Sequence, residues 1–136
     1  MNNEGFQITK ALTSIGSSGL FGRGIRYIPE YFPEAPTDFA FALLTNNIGL
    51  IGIMIFLIIY SYLIILIINQ IDSKNKILIL PIILVLLSQF TINILMNISL
   101  LPIIGITLPL ISYGGSSLLS YLILIGLAYE HKRLLK

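Results

Sequence analysis

Polar and apolar residues fall into separate long blocks along this chain. Residues 39–71 and 77–129 contain no Asp, Glu, Lys, Arg or His. A transmembrane helix needs about 20 predominantly apolar residues, so the first block holds one membrane span and the second holds two. We predict an all-α, polytopic membrane helix bundle with about three transmembrane helices, at residues 48–70, 77–98 and 111–129.

The first apolar block is too long for one straight span. As a single helix it would measure about 50 Å, whereas the hydrocarbon core is about 30 Å thick. Polar residues 45–47 and Gly49 interrupt the block, so we expect a short outer helix before the span. Thr37 is predicted to cap this helix, with Asp38 facing the positive end of the helix dipole.

Residues 1–38 have a different character, because they are rich in glycine and proline and lack a long apolar run. Such a segment is typical of an irregular, partly structured loop. We expect it to form an extracytoplasmic loop ahead of the first span.

Composition and charge support a membrane protein. Hydrophobic residues make up 56% of the chain and charged residues only 10%, whereas a soluble domain carries roughly 25% charged residues. The net charge of +2 indicates topology and not nucleic-acid binding. Basic residues at 74–76 and 132–136 mark cytoplasmic segments, which places residues 1–38 and 99–109 outside. With no cysteine, disulfides and thiolate metal sites are excluded.

Two polar stripes follow predicted membrane helices. The first consists of Gln89, Asn93 and Asn97, and the second of Ser112, Ser116 and Ser120. A spacing of four places each set on one helix face. Polar side chains in a membrane face the bundle interior or a wet cavity, so the amides either join helices or line a polar substrate path. The serine stripe favours close helix packing.

Two glycine-rich segments and one carboxylate are the remaining candidates for chemistry. Residues 113–117, "YGGSS", lack the preceding strand and following Lys of a phosphate-binding loop. Beside "GSSGLFGRG", Arg23 and Arg26 have the chemistry to clamp an anionic group at the membrane surface. Asp38 is either a helix cap or a catalyst, and composition alone favours the cap.

Four blocks of the chain resemble the SEDS family of bacterial cell-wall polymerases, the FtsW/RodA proteins. These blocks are "ALTSIGSSGLFGRG", "YFPEAPTDFAFALLTNNIGLIG", "INILMNISLLPIIGITLPL" and "LISYGGSSLL". They occur in the family's order and correspond to its C-terminal third. The resemblance implies a bundle of about ten spans, so we expect this chain to be a fragment that needs upstream helices and is inactive alone.

The resemblance also implies an activity, which is polymerisation of lipid II into glycan strands for cell division or elongation. It implies a multi-pass protein of the bacterial inner (cytoplasmic) membrane that works with a class B penicillin-binding protein, a transpeptidase. The family's essential aspartate corresponds to Asp38, which would act as general base. Arginines or a divalent cation, Mg²⁺ or Mn²⁺, would meet the departing diphosphate. No further cofactor and no metal-ligand set is predicted.

The candidate substrate-binding residues come from the matched blocks, from the polar stripes and from the arginines beside the glycine-rich loop. They are Arg23, Arg26, Glu34, Thr37, Gln89, Asn93, Asn97, Ser112, Tyr113, Gly114, Gly115 and Ser116. Pro36 replaces a family histidine, and Asn46 and Asn47 replace two family glutamates. Two alternatives stay open, a transporter (flippase) of the lipid-linked precursor and a non-catalytic scaffold for the transpeptidase.

Overall fold

The computed structural model describes residues 3–24, 37–71 and 76–134. Within these ranges the chain forms helices joined by turns, with no strand. The helices are α1 (Asn3–Gly16), α2 (Ala40–Ile68), α3 (Lys76–Asn97) and α4 (Gly115–Leu134). Both α2 and α3 are long and apolar enough to cross a membrane, and Gly115–Ala128 of α4 is a shorter apolar helix. The fold is an all-α membrane helix bundle, as predicted.

The main apolar core lies between α2, α3 and α4. Its buried members, which we call the Tyr60 core, are Tyr60, Ile64, Ile67, Ile79, Ile82, Ile83, Leu86, Tyr121 and Ala128. The Tyr60 ring stacks on Phe90 with centroids 3.9 Å apart, and its hydroxyl donates to the Leu86 carbonyl at 3.0 Å. The aromatic ring therefore packs in the core while its hydroxyl keeps a partner, as a buried tyrosine requires.

The N-terminal segment is more ordered than its composition predicts, because residues 3–16 form helix α1 instead of irregular loop. Its small residue Ala11 is fully buried against Phe39 and Ala42 at the start of α2. Ser14 is also buried and receives hydrogen bonds from the Asn46 side-chain amide, at 3.1 Å to its carbonyl and 2.7 Å to its hydroxyl. Packing against α2 therefore stabilises a helix that local composition does not favour.

The predicted interruption of α2 is present at Gly49, which has φ 72° and ψ −175°. Such a break frees main-chain groups that a continuous helix would pair internally. Residues 19–24, which we call the loop clamp, pair with four main-chain groups beside the break. The main-chain amides of Leu50 and Ile51 donate to the Gly19 and Leu20 carbonyls, both at 3.1 Å. The main-chain amides of Arg23 and Gly24 donate to the Asn46 and Asn47 carbonyls at 2.8 Å and 3.1 Å.

Two glycines allow the loop clamp to approach α2 this closely. A Cβ on Gly49 would overlap the main chain of Gly22, and a Cβ on Gly22 would overlap the Asn47 carbonyl. Both glycines also have positive φ, which L-residues with side chains rarely adopt. The loop clamp and the helix break thus form one backbone-to-backbone junction.

The connection from α3 to α4 is longer than predicted. Residues 98–114 are not helical, and α4 starts at Gly115, four residues after the predicted start of the third span. Residues 109–111 form a turn in which Leu110 has φ 68°. This connection returns to the start of α2 and forms the wall of the candidate site.

Candidate functional site

Asp38 lies in a turn formed by residues 37–39, which we call the Asp38 turn, and it is partly buried there. Helix α2 begins at Ala40, with Phe39 in the N-cap position. The prediction that Thr37 caps α2 is therefore wrong, because Thr37 lies two residues before the cap. The phenyl side chain of Phe39 cannot accept hydrogen bonds from the amides of the first helical turn, so another residue provides the cap.

The missing cap is supplied by Asn97 at the end of α3. Its Oδ1 accepts from the Ala42 amide at 3.0 Å, which is one of the first-turn donors without an intrahelical partner. The Nδ2 atom of the same side chain lies 3.2 Å from the Asp38 carbonyl oxygen and 2.8 Å from the Asn93 carbonyl oxygen. The Asn97 side chain thus caps α2 and also binds Asp38, the residue before the N-cap.

Asn93 reinforces this attachment one turn earlier in α3. Its Nδ2 donates to the Asp38 carbonyl at 2.9 Å and to the Ile106 carbonyl at 2.6 Å. Both Asn93 and Asn97 are 0% exposed. Their amides therefore join α3 to the Asp38 turn and to the α3–α4 connection. Of the two roles that the sequence allowed, joining helices or lining a substrate path, this arrangement matches the first.

Ser112 holds the Asp38 turn one carbonyl earlier in the chain, at Thr37. Its hydroxyl donates to the Thr37 carbonyl at 2.6 Å and accepts from the Leu108 amide at 2.7 Å. Ser112 is 7% exposed, so it too acts beneath the surface. The main chain on both sides of the Asp38 peptide group is consequently fixed by side chains distant in sequence.

The Asp38 carboxylate lies beside Gly105 in the connection. A Cβ built on Gly105 would approach Asp38 Oδ2 to 3.5 Å, and Gly105 itself has φ 72°. The neighbouring Ile106 carbonyl is the second acceptor of Asn93. Sequence reasoning missed Gly105. Its place between two prolines of the "LLPIIGITLPL" segment was the available sign of a position that needs the positive φ of a glycine.

A recess of about 210 Å³ opens next to the Asp38 turn. Its lining residues are Ala40, Leu43, Leu44, Asn47, Ile111 and Tyr113. Most of this surface is apolar, and the Tyr113 side chain at its edge is 83% exposed. The lining includes Ala40, which follows the Asp38 turn directly in the chain, while Asp38 itself is not a lining residue.

The remaining candidates occupy several places. Gln89 accepts from the Tyr121 hydroxyl of α4, so it belongs to the Tyr60 core and not to the Asp38 turn. Arg23 is exposed and its Nε donates to the Ser17 carbonyl at 3.3 Å in the segment that carries the loop clamp. Arg26, Glu34 and Pro36 lie outside the described residues.

The "YGGSS" motif forms the entry to α4. Gly114 precedes the helix, and its carbonyl accepts from the Ser117 hydroxyl at 2.9 Å. A Cβ added to Gly115 would meet no described atom within 4 Å, and Ser116 is exposed. The predicted serine stripe is therefore divided, because Ser112 is buried while Ser116 and Ser120 are exposed.

Asn46, one of the two positions that depart from the family glutamates, is part of the α1–α2 contact. It is 1% exposed, and its Nδ2 bonds to Ser14. Its Oδ1 is buried with no hydrogen-bond partner among the described residues. In this chain the position has a structural contact with α1.

Comparison with known proteins shows the family of this chain. Residues 1–135 match the model of the FtsW/RodA/SpoVE family, described as cell cycle proteins. The chain belongs to this family. Stage V sporulation protein E of Bacillus subtilis is 38% identical over 136 residues, covering 95% of this chain and 37% of the relative. The resemblance found in the four sequence blocks is confirmed.

Two further members of the FtsW/RodA/SpoVE family carry names that state an activity. The probable peptidoglycan glycosyltransferase FtsW of Coxiella burnetii is 41% identical, over 93% of this chain and 38% of the relative. The peptidoglycan glycosyltransferase MrdB of Escherichia coli K12 is 33% identical, over 96% of this chain and 38% of the relative. This chain therefore spans well under half the length of these relatives.

Proposed function

We propose that this chain forms part of a peptidoglycan glycosyltransferase that polymerises lipid II, with Asp38 as its general base. The observation that carries the proposal is a partly buried carboxylate on a turn held by three buried side chains, beside an apolar recess. Catalysis requires a reacting group to be held in a productive geometry. The names of the family relatives support the reaction class.

In the proposed reaction, the 4-hydroxyl oxygen of a GlcNAc sugar attacks the anomeric carbon of the growing chain's MurNAc. The bond from that carbon to the diphosphate breaks, and polyprenyl diphosphate leaves with the electron pair. Asp38 accepts the proton of the attacking hydroxyl, so a new glycosidic bond forms with inversion. Because diphosphate is a competent leaving group, one carboxylate base is sufficient and a general acid is not needed.

Charge on the leaving diphosphate needs neutralisation. Arg23 and Arg26 are the proposed cations, and a divalent ion such as Mg²⁺ or Mn²⁺ is the alternative. In the described part of the chain, no three His, Cys, Asp or Glu residues lie together in a way that would hold a metal ion. The described residues around Asp38 therefore offer no such group of ligands, and no step of the proposal depends on a metal.

We place the Asp38 turn and residues 98–114 on the outer face of the cytoplasmic membrane. The basic residues near 74–76 and at the other end of α4 favour this orientation. A Leu100→Cys variant tests it, since Leu100 is 69% exposed. We expect a membrane-impermeant maleimide to label this cysteine in intact spheroplasts, and labelling that requires lysis would contradict the orientation.

A polymerase also needs walls on several sides to bind two lipid-linked sugars and to exclude water. We propose that upstream family helices complete the cavity and that a class B penicillin-binding protein is the partner. The transporter alternative has less support, because Asn93 and Asn97 are buried and bonded to the main chain instead of lining a polar route.

The activity is tested in a full-length chimera in which residues 1–136 replace the matching segment of Escherichia coli MrdB, here called the MrdB chimera. We expect the purified MrdB chimera to polymerise fluorescent lipid II and Asp38→Asn to slow it by about 100-fold or more, the usual contribution of a general base. The control is Ser88→Ala, an exposed position whose hydroxyl bonds within α3. Near-normal polymerisation by Asp38→Asn would favour the scaffold alternative, and a folded but inactive chimera would contradict the proposal.

A further inference from the structure

Asp38 has no regular secondary structure of its own to fix its position. It lies before the first helical residue of α2, where each residue keeps two soft backbone dihedrals. A carboxylate in such a turn can move by an ångström or more unless other groups hold its main chain. A misplacement of that size in a reacting group can reduce a rate by about 100-fold.

The described contacts hold this main chain mainly through α3. The Asp38 carbonyl lies within hydrogen-bond distance of two side-chain amides, from Asn93 at 2.9 Å and Asn97 at 3.2 Å. The Ala42 amide, four residues later, is bound by the Oδ1 of Asn97 at 3.0 Å. Because Asn97 holds groups on both sides of the α2 N-cap, it fixes the turn relative to the helix that follows.

Asn93 additionally sets what lies against the carboxylate. The same Nδ2 that binds the Asp38 carbonyl binds the Ile106 carbonyl at 2.6 Å. Ile106 follows Gly105, the residue whose added Cβ would be 3.5 Å from Asp38 Oδ2. A single amide therefore connects the base to the segment that borders it.

Burial separates the roles of these residues. Asn93 and Asn97 are 0% exposed and cannot touch a bound sugar, whereas the Asp38 side chain is only partly buried. An asparagine is suited to this task because its amide carries both a donor and an acceptor. Aspartate at position 97 would keep the acceptor for Ala42 and lose the donor to Asp38.

We infer that Asn93 and Asn97 are positioning residues for the proposed base, acting on the rate through the Asp38 main chain without contacting substrate. The inference rests on the proposed function of Asp38. It goes beyond an inter-helix structural contact because it assigns the two amides to the catalytic step and not to folding or substrate binding.

The test compares Asn97→Asp with Asn93→Leu in the MrdB chimera. Asn97→Asp keeps the acceptor for Ala42 and places a negative charge at a helix N-terminus, which is favourable. It also sets a buried carboxylate oxygen against the Asp38 and Asn93 carbonyls, which is costly, so we expect a lower thermal midpoint in detergent and measure kcat per folded protein. Asn93→Leu is similar in size and uncharged, and it removes the donor to Asp38. We expect both to lower kcat for lipid II by about 10- to 100-fold, with KM within about twofold of the parent.

Each outcome has a distinct meaning when Asp38→Asn and Ser88→Ala are measured beside these variants. If Asp38→Asn abolishes polymerisation while Asn97→Asp and Asn93→Leu keep kcat within about twofold of the parent, the positioning role is overturned and the proposed base stands. A kcat loss matched by an equal loss of folded protein, or by a raised KM, also overturns it. If Asp38→Asn remains active, the proposed function itself fails.

Discussion

The Asp38 turn and the Tyr60 core occupy different regions of the same bundle and are stabilised in different ways. Around the Asp38 turn the backbone leaves helical geometry at residues 37–39, at Gly49 and through 98–114. Around the Tyr60 core, α2, α3 and α4 are regular helices packed through apolar side chains. Irregular backbone in a membrane protein must be satisfied by other protein groups. Buried polar side chains supply these groups at residues 37–39, and the main chain of the loop clamp supplies them at Gly49.

This difference has a functional consequence. A regular helix pairs its own main-chain groups, so its side chains are used for packing. In the Asp38 turn, the main-chain carbonyls are bound by the side chains of Asn93, Asn97 and Ser112 instead of by helical amides. The fold therefore places a carboxylate on non-helical backbone while keeping that backbone in one conformation, which a proposed base requires.

The largest expected loss of stability comes from Gly49→Ala, which disrupts the junction between the loop clamp and α2. The new methyl group would overlap the Gly22 main chain at a positive φ. We expect the free energy of unfolding to fall by about 3 kcal/mol or more, since backbone strain alone costs about 1 to 3 kcal/mol. Thermal unfolding of the MrdB chimera in detergent measures this loss.

A matched control for that substitution is Gly126→Ala. Gly126 lies inside α4, and an added Cβ there would meet no described atom within 4 Å. Alanine is favoured over glycine in a helix by roughly 0.5 to 1 kcal/mol, so this variant should be neutral or slightly more stable. Equal destabilisation by both variants would mean that the loop clamp has no special importance.

Ser112→Ala is expected to have an intermediate effect. It removes the donor to the partly buried Thr37 carbonyl and the acceptor for the buried Leu108 amide. A buried group left unsatisfied costs about 1 to 3 kcal/mol. We expect a loss in this range, measured as a lower thermal midpoint, and an unchanged midpoint would show that Ser112 does not support the Asp38 turn.

Tyr60→Phe should have the smallest effect and provides the contrast from the Tyr60 core. It deletes the hydroxyl that donates to the Leu86 carbonyl but keeps the ring stacked on Phe90. Interhelical hydrogen bonds in membrane proteins average about 0.6 kcal/mol, so a loss of about 0.5 to 1 kcal/mol is expected. A larger loss than that of Ser112→Ala would reverse the comparison between the two regions.

Local sequence patterns predicted some of these features well. The break in α2 follows from polar residues and a glycine inside an apolar block, and the helical bundle follows from the length of the uncharged runs. The spacing of Asn93 and Asn97 correctly placed them on one face. These features depend on the residues within one or two helical turns, which is the range that local patterns describe.

Features that depend on distant residues were not predictable in this way. The cap of α2 comes from Asn97, 55 residues after Ala42, so a local capping rule selected Thr37 instead. Gln89 has the same spacing as the other two amides, yet it meets Tyr121 because that part of α3 faces α4. Helix α1 depends on its contact with α2, which its own composition does not indicate.

The most direct test of the central claim, a carboxylate base held in one position, is the polymerisation rate of Asp38→Glu in the MrdB chimera. Glutamate keeps the acid but extends it by one methylene group, toward the border set by Gly105. If position matters as proposed, kcat should fall by about 10- to 100-fold with the protein folded and KM nearly unchanged. A rate close to that of the parent would contradict the claim that the turn sets the position of the base.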